Sequence, residues 1–196
     1  MKLLLIDTSS EYLYVYIYDD TLKKTLASKT MVTHNNHSEN LIPALTEVLN
    51  ECNMELKDVD EVVCGIGPGS YTGLRVGCVV AKMTSYTLNK PLKTISSLLF
   101  CGSGKLNNGK YLIKMKAKKD YSYYTVIDAH KGKLDILTPD SFNSDSVVNE
   151  IINNDLDLIV IDEGSYEPNP MIICKYSDKV ADIHNLTPNY LRNANQ

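Results

Sequence analysis

Small residues recur at every fourth position along one predicted helix of this chain, and they determine what that helix can pack against. The positions are Gly69, Gly73, Gly77, Ala81 and Ser85. Residues four apart lie on the same side of an α-helix, so this side carries almost no bulk. The helix can therefore bring its backbone unusually close to a sheet, to another helix or to a ligand, and the spacing leaves these three alternatives open.

The length of 196 residues favours one large domain or two small ones, and 43% hydrophobic residues suffice for a core. The longest apolar stretches are far shorter than the roughly 20 residues that a membrane-spanning helix needs. Met1 and Lys2 lead through four apolar residues straight to Asp7, which does not resemble a signal peptide. We therefore expect a cytoplasmic protein that does not bind membranes.

Cysteine and histidine usage does not favour a metal site or a disulfide framework. The five cysteines are odd in number and form no C-x-x-C motif, so we expect them to be reduced and mostly buried. His34 and His37 could place two imidazoles near each other. No third ligand follows at suitable spacing, and the polar neighbours are more typical of a loop leading into a helix cap.

The charged residues are unevenly distributed. Residues 105–119 contain six lysines and no acid, whereas residues 120–196 contain thirteen acids and five basic residues. Four of these lysines are candidates for contact with phosphate or with a partner: Lys114, Lys116, Lys118 and Lys119. A basic stripe can bind phosphate, although a solvated loop and strand edge would give the same composition.

The first half of the chain predicts an α/β unit in the order βββαβαβ. Three strands are expected at residues 3–8, 12–18 and 26–32, and in the second the aliphatic residues alternate with four tyrosines. A helix starting near Ser38 carries Leu41, Leu45 and Leu49 at helical spacing. A strand at 59–66, the small-residue helix at 69–88 and an extended segment at 91–96 complete the unit.

The second half predicts a smaller, β-rich part. Short strands are expected at 111–115, 121–127, 134–137 and 158–161, with a weak helix near 146–153. No internal repeat is visible in the sequence. We place the boundary near residue 104, which divides the chain into residues 1–104 and 105–196.

Two segments could together form a nucleotide site, although each has a simpler explanation. Asp7, Thr8 and Ser9 follow the first strand, where a carboxylate and hydroxyls could hold hydrated Mg²⁺ or could merely form a tight turn. The turn that contains Gly67 and Gly69 precedes the small-residue helix and could bind phosphate through its backbone N–H groups. It could equally be a rigid turn whose glycines allow close packing.

Four motifs in the first half resemble the TsaB, or YeaZ, family in order and spacing. They are LLIDTS at residues 4–9, HSENLIP at 37–43, GPGSYTGLRVG at 67–77 with Ala81-Lys82, and ISSL at 95–98. The third motif is highly specific to that family. Downstream, either residues 117–124 or residues 128–132 could match the family's Asp-Ala-Arg-Arg segment, and residues 190–192 match its C-terminal Tyr-Leu-Arg.

The resemblance implies an actin/Hsp70/sugar-kinase-like fold with two ribonuclease H-like lobes, of which the C-terminal lobe is smaller and degenerate. It also implies a bacterial protein that makes threonylcarbamoyladenosine beside the tRNA anticodon as the non-catalytic partner of TsaD. Where TsaD carries two metal-binding histidines, this chain has Ser97 and Cys101. We therefore expect no catalytic residues and no metal in this chain.

The partners that the resemblance implies are a TsaD-like catalytic subunit and a TsaE-like ATPase, with tRNA bound only through the complex. ATP and a metal are expected in the TsaD-like subunit rather than here. We expect the leucines of the first helix and the small residues of the second to form the interface, and a homodimer is an alternative use of it. The alternative function is an Mg-ATP-dependent ATPase or small-molecule kinase of the same superfold.

Overall fold

The computed structural model describes residues 1–33 and 36–191, which form two β-sheets flanked by helices. The first sheet begins with three antiparallel strands. They are β1 (Lys2–Asp7), β2 (Tyr12–Asp19) and β3 (Lys24–Val32). The helix α1 (His37–Glu51) follows and leads to β4 (Glu61–Gly65), which pairs in parallel with β1. The parallel pairing requires a crossover, and α1 supplies it.

The small-residue helix α2 (Tyr71–Leu88) connects β4 to β5 (Leu92–Ile95), which extends the parallel part of the sheet. Ser70 begins the helix, because its Oγ accepts a hydrogen bond from the N–H of Gly73 at 3.3 Å. Asn89 ends it in the left-handed conformation, with φ of 51°. The predicted order βββαβαβ is therefore confirmed for this part of the chain.

The two faces of the first sheet enter different cores, as the alternation in β2 predicts. Leu13, Val15 and Ile17 lie in the core beneath α1 and α2. Tyr14 and Tyr18 point the other way and are 2% and 3% exposed in a core shared with the second sheet. Both faces of β2 are thus buried, which joins the two sheets into one packed body.

The second sheet has the order β8-β7-β6-β9. Its strands are β6 (Gly109–Lys118), β7 (Tyr121–His130), β8 (Lys133–Ser144) and β9 (Leu158–Ile161). The helix α4 (Asp145–Asn154) crosses over between β8 and β9, and β9 pairs in parallel with β6. A short helix α3 (Ser97–Gly102) precedes the sheet, and α5 (Pro170–Lys175) follows it.

The second sheet repeats the topology of the first in a shorter form. Three antiparallel strands, a helix and a strand parallel to the first of them occur in both, and β8-β7-β6-β9 corresponds to β3-β2-β1-β4. The fold is therefore α/β with two related lobes, a complete first lobe and a reduced second one, as expected. The predicted division at residue 104 stays a prediction.

Residues 178–189 return to the first lobe. The two-residue strand β10 (Asp178–Lys179) pairs antiparallel with β5 and completes a six-stranded sheet. Further on, the N–H of Asn189 donates to the carbonyl of Ile66 at 2.7 Å, immediately before the glycine turn. Among the helices of the described residues, none combines the length and apolarity that a bilayer crossing requires.

The clearest difference from the predicted elements is β8, which is far longer than the predicted strand at 134–137. Its second half contains Pro139 and mostly polar residues, which conceal a strand in the sequence. Because β8 lies at an edge of its sheet, a proline there need not donate to a neighbouring strand.

Candidate functional site

Asp7 lies at the end of β1 inside a closed hydrogen-bond network. Its Oδ1 accepts from the N–H of Ser9 at 2.8 Å and from the Ser9 hydroxyl at 2.6 Å. Its Oδ2 accepts from the Ser97 hydroxyl at 2.6 Å, and Ser97 Oγ in turn accepts from the N–H of Gly67 at 2.9 Å. Asp7 therefore ties the first turn, the glycine turn and the start of α3 together.

Burial controls the ionisation of this carboxyl group. Asp7 is 0% exposed, and desolvation raises its pKa above the ordinary value of 3.8, with the bonds from Ser9 and Ser97 acting in the opposite direction. Three donors already occupy its oxygens. This arrangement suits a structural crosslink better than a carboxylate that holds a hydrated cation.

The glycines of the second segment allow the backbone of α2 and the preceding turn to touch Thr8 and Ser9, directly after β1. A Cβ at Gly69 would lie 2.4 Å from the carbonyl oxygen of Ser9. A Cβ at Gly73 would lie 2.0 Å from the carbonyl oxygen of Thr8, and one at Gly77 would lie 2.4 Å from Thr8 Oγ1. Of the three alternatives that the spacing leaves open, the structure selects close approach to the protein's own sheet.

The predicted interface residues are mostly buried within the chain. Exposure is 1% for Leu41, 5% for Leu45 and 8% for Leu49, and Gly73, Gly77, Ala81 and Ser85 are also buried. Gly69 is half-buried against Ser9. These residues pack between the two helices and the rest of the chain. They are not on the outer surface of the helices, so their contribution to an interface would be to hold the helices in position.

The outer side of the same helices carries the apolar groups that are available to a partner. Val79, Met83 and Tyr86 on α2 are 57%, 60% and 63% exposed, and their spacing places them along one stripe. Ile42 on α1 is 53% exposed. We call these four residues the outer helix surface. That α1 and α2 form an interface stays a prediction.

A cavity of about 720 Å³ opens between the two lobes. Its first-lobe wall includes Ser9, Ser10, Gly69 and Ser70, at the N-terminus of α2. Its second-lobe wall includes Lys116, Lys118 and Lys119, so three of the four predicted lysines lie together, whereas Lys114 is half-buried on β6. Glu11 and Glu163 also line it, which makes the cavity mixed in charge.

Only part of the predicted nucleotide site reaches this cavity. Ser9 and Gly69 line it, but Asp7 is enclosed behind them. Thr8 is buried and its hydroxyl donates to the carbonyl of Gly73 at 2.7 Å. Gly67 has a φ of +108°, which favours glycine, and it packs against Asn189. The five residues thus form a structural junction with one open side.

Sequence reasoning missed a cluster of two tyrosines and one arginine, of which the two tyrosines line the cavity. The rings of Tyr71 and Tyr190 lie 4.9 Å apart, and the guanidinium of Arg75 lies 4.1 Å from the centre of the Tyr71 ring. Arg75 Nε also donates to the Tyr190 hydroxyl at 3.4 Å. The sequence feature that could have revealed this cluster is the pair of family motifs that contain its residues. Arg75 and Tyr190 lie 115 positions apart in the chain.

The histidine and cysteine positions are used for packing. Ser97 and Cys101 are both 0% exposed, and burial raises the pKa of the Cys101 thiol well above its usual value. His37 donates from Nε2 to the carbonyl of Ser10 at 2.8 Å and accepts at Nδ1 from the Thr33 hydroxyl at 3.0 Å. His34 lies outside the described residues, as does Arg192. The part of the chain that is described contains no group of three potential metal ligands.

Comparison with known proteins identifies relatives in one pathway. Residues 23–175 match the family model of TsaD, tRNA N6-adenosine threonylcarbamoyltransferase. The tRNA threonylcarbamoyladenosine biosynthesis protein TsaB of Bacillus subtilis is 25% identical over 98% of this chain and 94% of its own length. The Escherichia coli protein of the same name is 27% identical over 53% of this chain, and that match spans 44% of its length.

A solved structure described by its similarity to the peptidase YeaZ from Pseudomonas aeruginosa has the same fold. It superimposes with a TM-score of 0.78 over 97% of this chain and 99% of the other, at 20% sequence identity. The match includes both lobes, because it covers almost the whole of each chain.

Proposed function

Because the chain belongs to the TsaD family and, within it, to the TsaB (YeaZ) group, we propose that it is a non-catalytic subunit required for threonylcarbamoyladenosine formation on tRNA. Its role is to bind and support a TsaD-like catalytic subunit. The observation that carries this proposal is the position of Ser97 in the hydrogen-bond network of Asp7. Where the family's transferase has a metal-binding histidine, Ser97 is buried and bonded to Asp7 and Gly67.

The outer helix surface supports the binding part of the proposal. Its side chains are apolar and more than half exposed on two neighbouring helices whose inner sides are fixed in the core. Burying such groups against a partner stabilises a complex by about 25 cal/mol for each Å² of apolar surface removed from water. A homodimer could use the same surface when the catalytic subunit is absent.

Other parts of the complex remain part of the proposal. A TsaE-like ATPase would join the assembly, and ATP and a metal ion would bind in the TsaD-like subunit. The tRNA would contact this chain only within the complex, with Lys116 and Lys119 as exposed candidates on the second lobe. We place the work of the protein in the cytoplasm, where tRNA is modified.

An ATPase or kinase is not favoured. Such an enzyme would use Asp7 for Mg²⁺, but both carboxylate oxygens already accept hydrogen bonds inside the protein. The second-lobe wall of the cavity carries Glu163 beside its lysines, so it is mixed in charge and not the uniformly positive wall that suits phosphate.

The test mixes the purified chain with a TsaD-like subunit and measures mass by size-exclusion chromatography with light scattering. We expect a complex with the wild-type chain and its loss with Met83→Asp, because a charge would be buried in the interface. Leu156→Asp is the matched control, since Leu156 is 94% exposed on the second lobe. Normal assembly by a folded Met83→Asp variant would refute the proposed surface.

A reconstituted modification assay tests the role itself. Every reaction contains tRNA, ATP, a TsaE-like ATPase and a threonylcarbamoyl donor. Threonylcarbamoyladenosine should form when this chain and the TsaD-like subunit are both added, should be lost with Met83→Asp and should not form when the TsaD-like subunit is left out. Product formation by this chain without the TsaD-like subunit would show that it is catalytic.

A further inference from the structure

A second, smaller pocket lies on the side of the first sheet opposite α1 and α2. It has a volume of about 250 Å³ and lies between β2 and the loop that follows β9. Four tyrosines and two glutamates form most of its wall: Tyr12, Tyr14, Tyr16, Tyr166, Glu163 and Glu167. We call it the tyrosine pocket. Neither the family motifs nor the proposed function uses it.

The rings of the tyrosine pocket are held in place by the fold. Tyr12 and Tyr14 lie two residues apart on one face of β2, and their rings stack with centres 5.9 Å apart. The Tyr16 hydroxyl shares a hydrogen bond with Thr30 Oγ1 at 3.4 Å. The Tyr166 hydroxyl donates to the carbonyl of Lys114 at 2.7 Å. The pocket therefore needs little ordering before a ligand binds.

The negative charges of the two glutamates have different partners. Glu167 forms a salt bridge with Lys105. Within residues 1–33 and 36–191, Glu163 belongs to no salt bridge, and its Oε1 accepts only the backbone N–H of Lys116 at 2.8 Å. Burial, together with the nearby Glu11 and Asp162, raises the pKa of Glu163, while the backbone N–H and the charge of Lys116 act in the opposite direction. A cation placed beside it would relieve that unfavourable environment.

We propose that the tyrosine pocket receives a single arginine or lysine side chain from a protein partner. Aromatic rings and a carboxylate that forms no salt bridge within the described residues attract an organic cation, through cation–π contacts and through charge. The same negative groups repel phosphate, which argues against RNA in this pocket. The volume suits one extended side chain rather than a larger ligand. Because the pocket and the outer helix surface lie on opposite faces of the sheet, the contact is additional to the proposed TsaD-like interface and does not depend on it.

The experiment uses the full chain with ¹³C-labelled tyrosine rings and follows their NMR signals during titration. The probe is N-acetyl-arginine methylamide, and the comparison ligand is the citrulline analogue, which has nearly the same shape without the charge. We expect saturable shifts of the Tyr12 and Tyr16 signals with arginine, binding about tenfold weaker with citrulline, and no shift of Tyr86.

Two variants test the assignment to these residues. Glu163→Gln keeps an oxygen for the Lys116 N–H but removes the charge, and we expect it to weaken binding about tenfold. Glu150→Gln is the matched control on the exposed side of α4 and should bind as the wild type does. Tyr12→Leu removes one ring at a half-buried position and should also weaken binding. Thermal unfolding verifies that each variant is folded.

The proposal is overturned if citrulline binds as well as arginine, or if folded Glu163→Gln binds as well as Glu150→Gln. It is also overturned if the shifts occur outside the tyrosine pocket. These results do not depend on a TsaD-like subunit, so they are separate from the test of the proposed function.

Discussion

Gly73 and Gly77 lie one turn apart on α2 and face the same residue, yet we expect alanine to act differently at the two positions. At Gly73 the new methyl group would meet the carbonyl oxygen of Thr8 at 2.0 Å, and this backbone atom cannot rotate away. At Gly77 it would meet Thr8 Oγ1 at 2.4 Å, which is a side-chain atom. The prediction is therefore that deleting the Thr8 side chain rescues one substitution and not the other.

The magnitudes follow from two opposing effects. Overpacking a tight contact costs about 1–3 kcal/mol, whereas alanine in place of glycine inside a helix stabilises by about 1 kcal/mol. We expect Gly73→Ala to lower the free energy of unfolding by about 2 kcal/mol, because its contact is the shorter of the two, and Gly77→Ala by about 1 kcal/mol or less. In a Thr8→Ala background, Gly77→Ala should instead stabilise by about 1 kcal/mol, while Gly73→Ala should cost as much as before.

Urea unfolding of the single and double variants gives both coupling energies. The coupling between positions 8 and 77 should be about 1–2 kcal/mol, and that between positions 8 and 73 should be near zero. On heating, Gly73→Ala alone should lower Tm by about 4–8 °C in a chain of this size. Equal coupling energies for the two pairs, or no loss of stability in Gly73→Ala, would refute the conclusion that the glycines of α2 pack directly against Thr8.

Three further predictions follow from the site and the second lobe. Ser97→Ala should lower the free energy of unfolding by about 1–3 kcal/mol, because it leaves the N–H of Gly67 and one Asp7 oxygen without their partner, and urea unfolding measures this. Burial raises the pKa of Asp140 from 3.8 to about 6. Because the pKa of Asp140 is higher in the folded chain than in the unfolded chain, protonated Asp140 favours folding below pH 4, and this stabilisation is lost as the pH rises through 6. Over that range the free energy of unfolding of the wild type should fall by up to about 3 kcal/mol relative to that of Asp140→Asn. Reversing Lys116 and Lys119 to glutamate should weaken tRNA binding by the complex, measured by filter binding at fixed salt, and should make it less salt-dependent.

Exposed residues provide the matched controls for these three predictions. Ser146→Ala and Asp157→Asn lie on the surface of the second lobe and should leave stability and its pH dependence unchanged. Lys57→Glu reverses an exposed lysine far along the chain and should not affect tRNA affinity. If a control variant changes stability, its pH dependence or tRNA affinity as much as the corresponding test variant does, the buried or clustered position has no special role.

Local patterns predicted much of the first lobe. The alternation of tyrosine and aliphatic residues in β2 correctly assigned its two faces, because side chains in a strand alternate with a period of two. The four-residue rhythm located α2 and its close packing. It could not say what lay opposite, since that depends on the position of Thr8, about 65 residues earlier in the chain.

The tertiary arrangement limited the site predictions. Asp7 followed by hydroxyl groups has the composition of a cation site, but Ser97 reaches it from 90 positions away and occupies one oxygen. The leucines of α1 have the spacing of an apolar stripe, and a core and an interface give the same stripe. No internal sequence repeat indicated the repeated topology of the second lobe, because strand order carries it and not similar residues; only the family resemblance implied two related lobes.

The pairing of β10 with β5 has a consequence for how the protein is made. The first lobe is synthesised first, but the last strand of its sheet and the segment that holds the glycine turn come from residues after 177. Until those residues emerge from the ribosome, the edge of β5 is unpaired, and such an edge can join a strand of another chain. We therefore expect the nascent chain to depend on protection late in translation, and expression of residues 1–104 alone to yield aggregates instead of a folded lobe.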